Sequence, residues 1–294
     1  MTRWGGGLGG TRSDLGASTD VDLHEALAFC DRDPVASVLA ASRIEAALAE
    51  GGRRAGTALW GVRRSGRLEA VCWAGANLVP VCDAADDDAL DAFARTALRQ
   101  GRRCSSIVGE AGAVLALWRR LEPSWGRARE VRADQPSLVI DHDPLVAADP
   151  LVRLARPDEI ASVLPACVHM FLEEVGYSPV EGGGTAYESR VRALIAAQRS
   201  YVRTERGPDE PVVVFKAELG AVTRRVAQVQ GVWVNPARRG EGLAAPGMAA
   251  VVQLARARVA PVVSLYVNHY NHRALASYER VGFRRVGTYA TVLF

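Results

Sequence analysis

The stretch Arg239-Gly240-Glu241-Gly242-Leu243-Ala244 constrains this chain more than any other. It lies between an apolar run ending Gly231-Val232-Trp233-Val234 and a helix-forming run that begins near Ala245. The order is strand, glycine-rich turn, helix. Such a turn gathers backbone N–H groups that lack intrahelical partners and adds the positive end of a helix dipole. A pyrophosphate fits that arrangement. Glycine belongs where backbone must approach a ligand closely, because a Cβ would intervene. The loop has no lysine, which excludes a P-loop. Gly240-Glu241-Gly242 is followed by Pro246-Gly247, and the next strand ends in Asn268 rather than an acid, a weak fit to a dinucleotide fingerprint. Pro246 falls in the first turn of the helix, where its missing N–H costs little.

The following segment narrows the reading. Residues 263–267 read as a buried strand and 268–271 as a turn. Asn271 to Phe283 then reads as a short helix, with Asn271 as N-cap and Gly282 just past the C-terminus. Ala274, Tyr278 and Val281 share one face of it. A last strand is expected over 289–294. Arg239-x-x-Gly242-x-Ala244, followed by Asn271-x-x-Ala274-x-x-x-Tyr278-x-x-x-Gly282-Phe283, resembles the signature of the GNAT N-acetyltransferase superfamily. The resemblance runs from about residue 212 to the C-terminus.

That resemblance implies a role for each matching position. Arg239, Gly240, Glu241, Gly242, Leu243 and Ala244 would line the acetyl-CoA pyrophosphate. Backbone groups of Val232, Trp233 and Val234 would pair with the pantetheine arm, and Asn271 would contact it. Tyr278 would protonate the departing thiolate, and a phenol does have a proton to give at neutral pH. The general base is less defined, because residues 226–234 carry no acid where many GNAT enzymes use a carboxylate. Glu218, at the end of the preceding strand, is one candidate. Glu173 and Glu174, on the first helix of the C-terminal half, are others, or they bind a cationic acceptor. His169 is a weaker alternative.

Composition bounds the remainder. The 294 residues leave room for about two domains. Apolar content of 49% supports sizeable cores. The net charge of +3 is spread along the chain and gives no nucleic-acid footprint. Nearly all the positive charge is arginine, Lys216 being the only lysine. With heavy alanine content this suits a GC-rich bacterial genome. The five cysteines are scattered, without Cys-x-x-Cys, so a reducing cytoplasm and no metal site are expected. No apolar run is long enough to span a membrane.

The first half shows a matching order. Helices are expected over 22–29 and 35–49, a hairpin over 57–62 and 69–73, and a strand over 77–81. A helix over 87–100, a strand over 104–108, a helix over 112–121 and an extended stretch over 130–140 follow. This resembles a second, degenerate GNAT-like copy without the glycine loop. Gly109-Glu110-Ala111-Gly112 reads as a turn. In the second half, strands are expected over 151–155, 200–203 and 212–218, helices over 157–175 and 187–198, and a glycine-rich loop over 178–184.

The expected fold is therefore α/β (α+β), a tandem GNAT-like acyl-CoA N-acyltransferase fold. Each half would hold a mixed, mostly antiparallel sheet flanked by helices. Residues 1–20 would form a disordered leader, 21–140 the degenerate domain, 141–150 a linker and 151–294 the catalytic domain. The chain resembles a two-domain actinobacterial-type subgroup whose N-terminal half has no assigned function. The implied activity is acetyl transfer from acetyl-CoA to a primary amine by direct attack in a ternary complex. The acceptor, small molecule or protein, is left open. A cytoplasmic monomer or homodimer is expected, with neither nucleic acid nor membrane as partner. The other readings are a non-catalytic acyl-CoA-binding regulator and a scaffold.

Overall fold

The computed structural model describes residues 16–181, 184–207 and 210–294. The first fifteen positions of the expected leader lie outside the described residues. So do 182–183 of the glycine-rich loop and 208–209 of the turn after residue 205.

The two halves repeat one order of elements. The first comprises α1 (Leu23–Cys30), α2 (Val38–Ala49), β1 (Leu59–Arg64), β2 (Arg67–Ala74), β3 (Asn77–Val81), α3 (Asp87–Gln100), β4 (Ser106–Glu110), α4 (Ala111–Trp125) and β5 (Glu130–Ile140). The second comprises β6 (Arg153–Leu154), α5 (Ile160–Val175), α6 (Thr185–Ala196), β7 (Ser200–Glu205), β8 (Val212–Val222), β9 (Val226–Val234), α7 (Ala244–Arg258), β10 (Val262–Tyr266), α8 (His272–Val281) and β11 (Arg284–Leu293). Even β6 has a counterpart, an isolated antiparallel bridge between Ser18 and Gly61.

The strands do not form one sheet per half, as their order along the chain suggests. They form a single 11-stranded sheet in the order β1-β2-β3-β4-β11-β5-β10-β9-β8-β7-β6. The last strand of each half has crossed into the other. β11 lies antiparallel to β4, and β5 lies antiparallel to β10. β5 and β11 then pair antiparallel along most of their length. The exchange follows from strand length. The extended stretch at 130–140 is a full strand, and β11 begins at Arg284, five residues before the expected start, so both are long enough to bridge the halves.

Helices cover both faces. On one, α1 and α2 bury Leu23, Ala26 and Ile44 against Leu59, Val71 and Tyr289, while α5 and α6 bury Val163, Cys167 and Val191 against Val202, Val213 and Trp233. On the other, α3 and α4 cover Trp60, Ala70, Ile107 and Val292, and α7 and α8 cover Phe215, Leu219, Val229 and Val263. The segment 141–150 is packed against α7 and α8, with Leu145 N–H bonded to Val281 O (2.9 Å) and Asp149 N–H to Pro246 O (3.0 Å).

Candidate functional site

The parallel pair β9 and β10 is in register only at Val226–Val262, Ala227–Val263 and Gln228–Ser264. Beyond that the strands part. From Val229 to Val234 the β10-facing edge of β9 pairs with no strand among the described residues. A bulge marks this stretch: Lys216 pairs with Trp233 and Glu218 with Gln230, leaving an extra residue on β9. Gly231, inside it, has φ +59°. A Cβ there would stand 3.3 Å from both Lys216 Nζ and Met170 Cε. Of the three strand residues expected at the pantetheine arm, Val232 and Val234 pack towards the α7–α8 core, and Trp233 towards α5 and α6.

The loop after β9 turns on two glycines. Gly240 (φ +88°) and Gly242 (φ +80°) are left-handed, with nothing within 4 Å of either Cβ position. α7 starts at Ala244 without a side-chain cap. Among the described residues no hydrogen bond engages the N–H groups of Gly240, Glu241, Gly242, Leu243, Ala244 or Ala245. These orphan donors lie at the positive end of a 15-residue helix. Arg239 donates Nε to Val234 O (3.1 Å) and a terminal nitrogen to Glu173 Oε2 (2.5 Å). Glu241 is drawn onto Arg238, whose hydrogen bond holds its carboxyl below the usual range.

α8 packs against α7 and is built as its sequence indicates. Asn271 Oδ1 caps Ala274 N–H (3.2 Å), and Gly282 ends the helix in a left-handed conformation. The cap occupies the Asn271 oxygen and leaves its NH₂ for other contacts. Tyr278 is buried, its ring 5.9 Å from that of Phe283. Burial first, then the nearby Glu174 charge, pushes its phenol up, so it stays protonated at neutral pH.

Glu173 and Glu174 end α5, where no basic residue of that helix faces them. Carboxylates at the negative end of a helix dipole are unfavourable. Both are compensated from elsewhere, Glu173 by Arg239 and Glu174 by Arg132 of β5. Glu174 stays half-exposed. Besides Tyr278 it raises the phenols of Tyr187 and Tyr266, in each case secondary to burial.

Glu218 is elsewhere, beneath the Gly231 bulge and 2% exposed. Lys216 is fully buried beside it, Nζ to Oε1 2.6 Å. Burial pushes the Glu218 carboxyl up, but the Lys216 ammonium outweighs this and holds it below the usual range. Burial likewise opposes the Lys216 charge, which Glu218 sustains above its ordinary value. Cys167 Sγ donates to the same carboxylate oxygen (3.4 Å), and burial pushes its thiol up to about 12. Arg190 approaches Oε2 at 3.8 Å. The geometry thus separates the expected carboxylates. Glu173 and Glu174 flank the parted strands with Arg239 and Tyr278, while Glu218 belongs to a closed ion pair behind β9.

The N-terminal half fills the corresponding region with its own groups. The counterpart of the glycine loop is 82–86, between β3 and α3, whereas the turn at 109–112 leads into α4, the counterpart of α8. Asp86 caps α3 by accepting from Ala89 N–H (3.0 Å) and is ion-paired to Arg64, with Asp87 and Asp88 in the first turn. Acids therefore stand where an anion would bind. Pro80 in β3 has no N–H to offer a ligand, and its oxygen is 3.5 Å from the Cβ position of Gly109 on β4.

Several site residues were missed in the sequence. Lys216 carried a signal, as a lysine two positions before Glu218 in an apolar strand, where i and i+2 share a face. Arg132, Tyr187 and Arg190 carried none. Ser264 Oγ, buried without a hydrogen-bond partner among the described residues where the strands part, was also not legible.

Parted central strands, a glycine loop opening a helix and a second helix beside it, in a duplicated layout, define a tandem GNAT-like fold. Residues 190–283 match the Acetyltransferase (GNAT) family, and residues 57–163 match a domain of unknown function (DUF4081). The chain thus carries a C-terminal domain of the GNAT acetyltransferase family behind an N-terminal DUF4081 domain. Solved structures share the fold across both halves. A GNAT-family acetyltransferase from Colwellia psychrerythraea is 11% identical, with 95% of this chain and 100% of that one covered and a TM-score of 0.56. A GCN5-related N-acetyltransferase from Sphaerobacter thermophilus is 17% identical, with coverage of 96% and 95% and a TM-score of 0.58. A tandem GNAT protein from the clavulanic acid biosynthesis pathway is 14% identical, with coverage of 95% and 97% and a TM-score of 0.50. No curated protein matches the chain. Among the described residues there is no group of three metal-ligating side chains, and no helix is long and apolar enough to cross a membrane.

Proposed function

We propose that the C-terminal half transfers the acetyl group of acetyl-CoA to a primary amine by direct attack in a ternary complex. The observation that carries this reading is the run of unengaged N–H groups from Gly240 to Ala245 beside the parted edge of β9. Those donors and Arg239 hold the pyrophosphate, Arg239 exchanging Glu173 for phosphate. The unpaired edge of β9 at Val232, Trp233 and Val234 accepts the pantetheine arm as an added strand. Asn271, whose oxygen caps α8, contacts the arm through its NH₂. Acetyl-CoA, when bound, supplies an activated thioester. N–H groups at the Gly231 bulge stabilise the negative charge that develops on its carbonyl oxygen.

Tyr278 donates a proton towards the sulfur. Glu174 is the general base, because it is half-exposed at the end of α5 and its carboxylate is met only at 3.7 Å, by Arg132. Glu218 is too buried and too firmly ionised to exchange a proton with an acceptor, and it serves with Lys216 to fix the bulge. A covalent acyl-enzyme is disfavoured, because the Cys167 thiol is held protonated with a value of about 12.

A second reading, a non-catalytic acyl-CoA-binding regulator, draws on the pairing of the expected carboxylates Glu173 and Glu218 with cations. Calorimetry with acetyl-CoA, combined with thiol release in the presence of primary amines, separates the two. Gly242→Trp should weaken acetyl-CoA binding about a hundredfold, or about 2.7 kcal/mol. Equal affinity in both proteins rejects the site. Binding without thiol release with any amine favours the regulator.

A further inference from the structure

We propose that the exchanged strand β5 completes the acceptor side of the C-terminal site, with Arg132 as the residue that positions Glu174. The proposal deepens the transferase reading and rests on it. It also gives the N-terminal domain a task, since Arg132 lies within residues 57–163.

The argument begins with where β5 runs. It pairs with β10 up to Tyr266–Ser137 and then continues past the end of that strand. Val267 N–H still reaches Pro136 O (3.2 Å), and His269 N–H reaches Asp134 O (3.2 Å). The part of β5 around Arg132 therefore extends beyond the C-terminal end of β10, the end from which the chain turns into α8. A GNAT half closed by its own last strand would present that strand here. This chain presents a strand from the other half.

Arg132 is fixed along its length. Its side chain is only 10% exposed, and Glu130 grips it through Nε (2.8 Å) and one terminal nitrogen (3.0 Å). That terminal nitrogen also donates to Glu174 O (2.9 Å), and the other lies 3.7 Å from Glu174 Oε1. One guanidinium thus satisfies a carbonyl at the open end of α5 and offsets a carboxylate placed against the helix dipole. Without it, Glu174 would sit at the negative end of the helix with no cation beside it. The Glu174 charge raises the phenols of Tyr278 from α8, Tyr266 from β10 and Tyr187 from α6, in each case after burial. Arg129, also supplied by the first half, stacks on Tyr177 just beyond α5, 5.2 Å from the ring centre. Two arginines of the N-terminal half therefore hold the end of α5 from which Glu174 projects.

The class of acceptor follows. Glu174 is half-exposed, with its charge only partly met at 3.7 Å. Such a carboxylate suits a primary amine that arrives as a cation and must lose a proton before attack.

The test compares wild type, Arg132→Ala, Arg132→Lys and Glu174→Gln in the full chain. Acetyl-CoA binding is read by calorimetry. Thiol release from acetyl-CoA is read with water, spermidine, tyramine, glucosamine and a serine-initiated tripeptide as acceptors. Exchange of backbone amides is followed in the peptide spanning 172–177. Arg132→Ala should speed exchange in that peptide and lower acceptor-dependent kcat/KM at least about tenfold, with acetyl-CoA affinity unchanged. Arg132→Lys, which keeps the charge, should recover most of the rate, and Glu174→Gln should not. Unchanged exchange and kcat/KM in Arg132→Ala, with acetyl-CoA bound normally, overturns this assignment alone. Loss of rate in Arg132→Lys as deep as in Arg132→Ala, with normal folding, also overturns it. A wild type that fails to bind acetyl-CoA, or binds it yet releases thiol with none of these acceptors, overturns the transferase reading and this assignment with it.

Discussion

Replacing Lys216 with Met should cost this protein a large share of its stability, and removing Glu218 as well should return most of it. Lys216 is fully buried and Glu218 is 2% exposed, with 2.6 Å between charged atoms. Removing one partner of such a pair strands the other charge in a medium that solvates it poorly, at about 3–5 kcal/mol. Whole folds are stable by about 5–15 kcal/mol. With an m-value of about 3 kcal/mol/M, the urea midpoint of Lys216→Met should fall by about 1–1.7 M. The double variant Lys216→Met/Glu218→Leu removes both charges and keeps the volume filled, so it should lie close to wild type or above it.

The pH dependence is specific. In wild type the Glu218 carboxyl is held below its unfolded value, so its contribution is present above that value and is lost as pH falls through the folded one. Lys216 is held above its unfolded value, so its contribution is complete below that value and is lost as pH rises through the folded one. In Lys216→Met, burial lifts the Glu218 carboxyl instead, and protonation relieves the stranded charge. The deficit against wild type should therefore be largest near neutral pH and shrink towards pH 4. Urea melts of the three proteins between pH 4 and 8 measure this. A double variant as unstable as the single one, or a deficit that does not change with pH, refutes the reasoning.

Other outcomes follow from the same geometry. Tyr278→Phe should lower kcat by about 10²–10⁴, the usual range for a positioned acid, while acetyl-CoA binding by calorimetry stays unchanged. Because burial raises the Tyr278 phenol, the alkaline fall in wild-type activity that belongs to this group should lie above about pH 10. An amine-reactive acetylating reagent should leave Lys216 unmodified in the folded protein and label it after denaturation, as read by mass spectrometry of the peptide. Residues 151–294 expressed alone should lack a cooperative thermal transition, because β10 then has an open edge and β11 has lost both neighbours.

How far the sequence could be read depended on whether the deciding interaction was local. The glycine loop, the Asn271 cap, the Gly282 stop and the position of Tyr278 each follow from a few adjacent residues, and all could be placed before the fold was known. The duplicated order of elements was also legible, since periodicity and turn residues act within each segment. Strand exchange was not. β5 reads as an extended stretch whichever edge it joins, and nothing within residues 130–140 names β10 as its neighbour. Arg132 was hidden for the same reason, because its partner Glu174 is 42 residues away in the other half. Glu218 shows a different limit. Its type suited a base, but its burial and its grip on Lys216 are properties of the packed sheet. In the first half the visible glycine pattern lies at 109–112, which reads as a turn and does not mark the phosphate-side counterpart. The topology assigns it to 82–86, where aspartates have removed the pattern.

The interleaving of β5 and β11 bears on how the chain is made. A ribosome releases residues 106–140 long before residues 284–293. During that interval β4 has an uncovered edge, and β5 has neither of the strands it will lie between. Hydrogen-bonding groups along both then lack the partners they have in the folded protein. The central pairing, β5 with β11, joins residues more than 140 positions apart. Pairings of that separation form slowly. Completion of either half thus waits for residues 284–293, and a chain that stopped short of them would leave the first half as incomplete as the second.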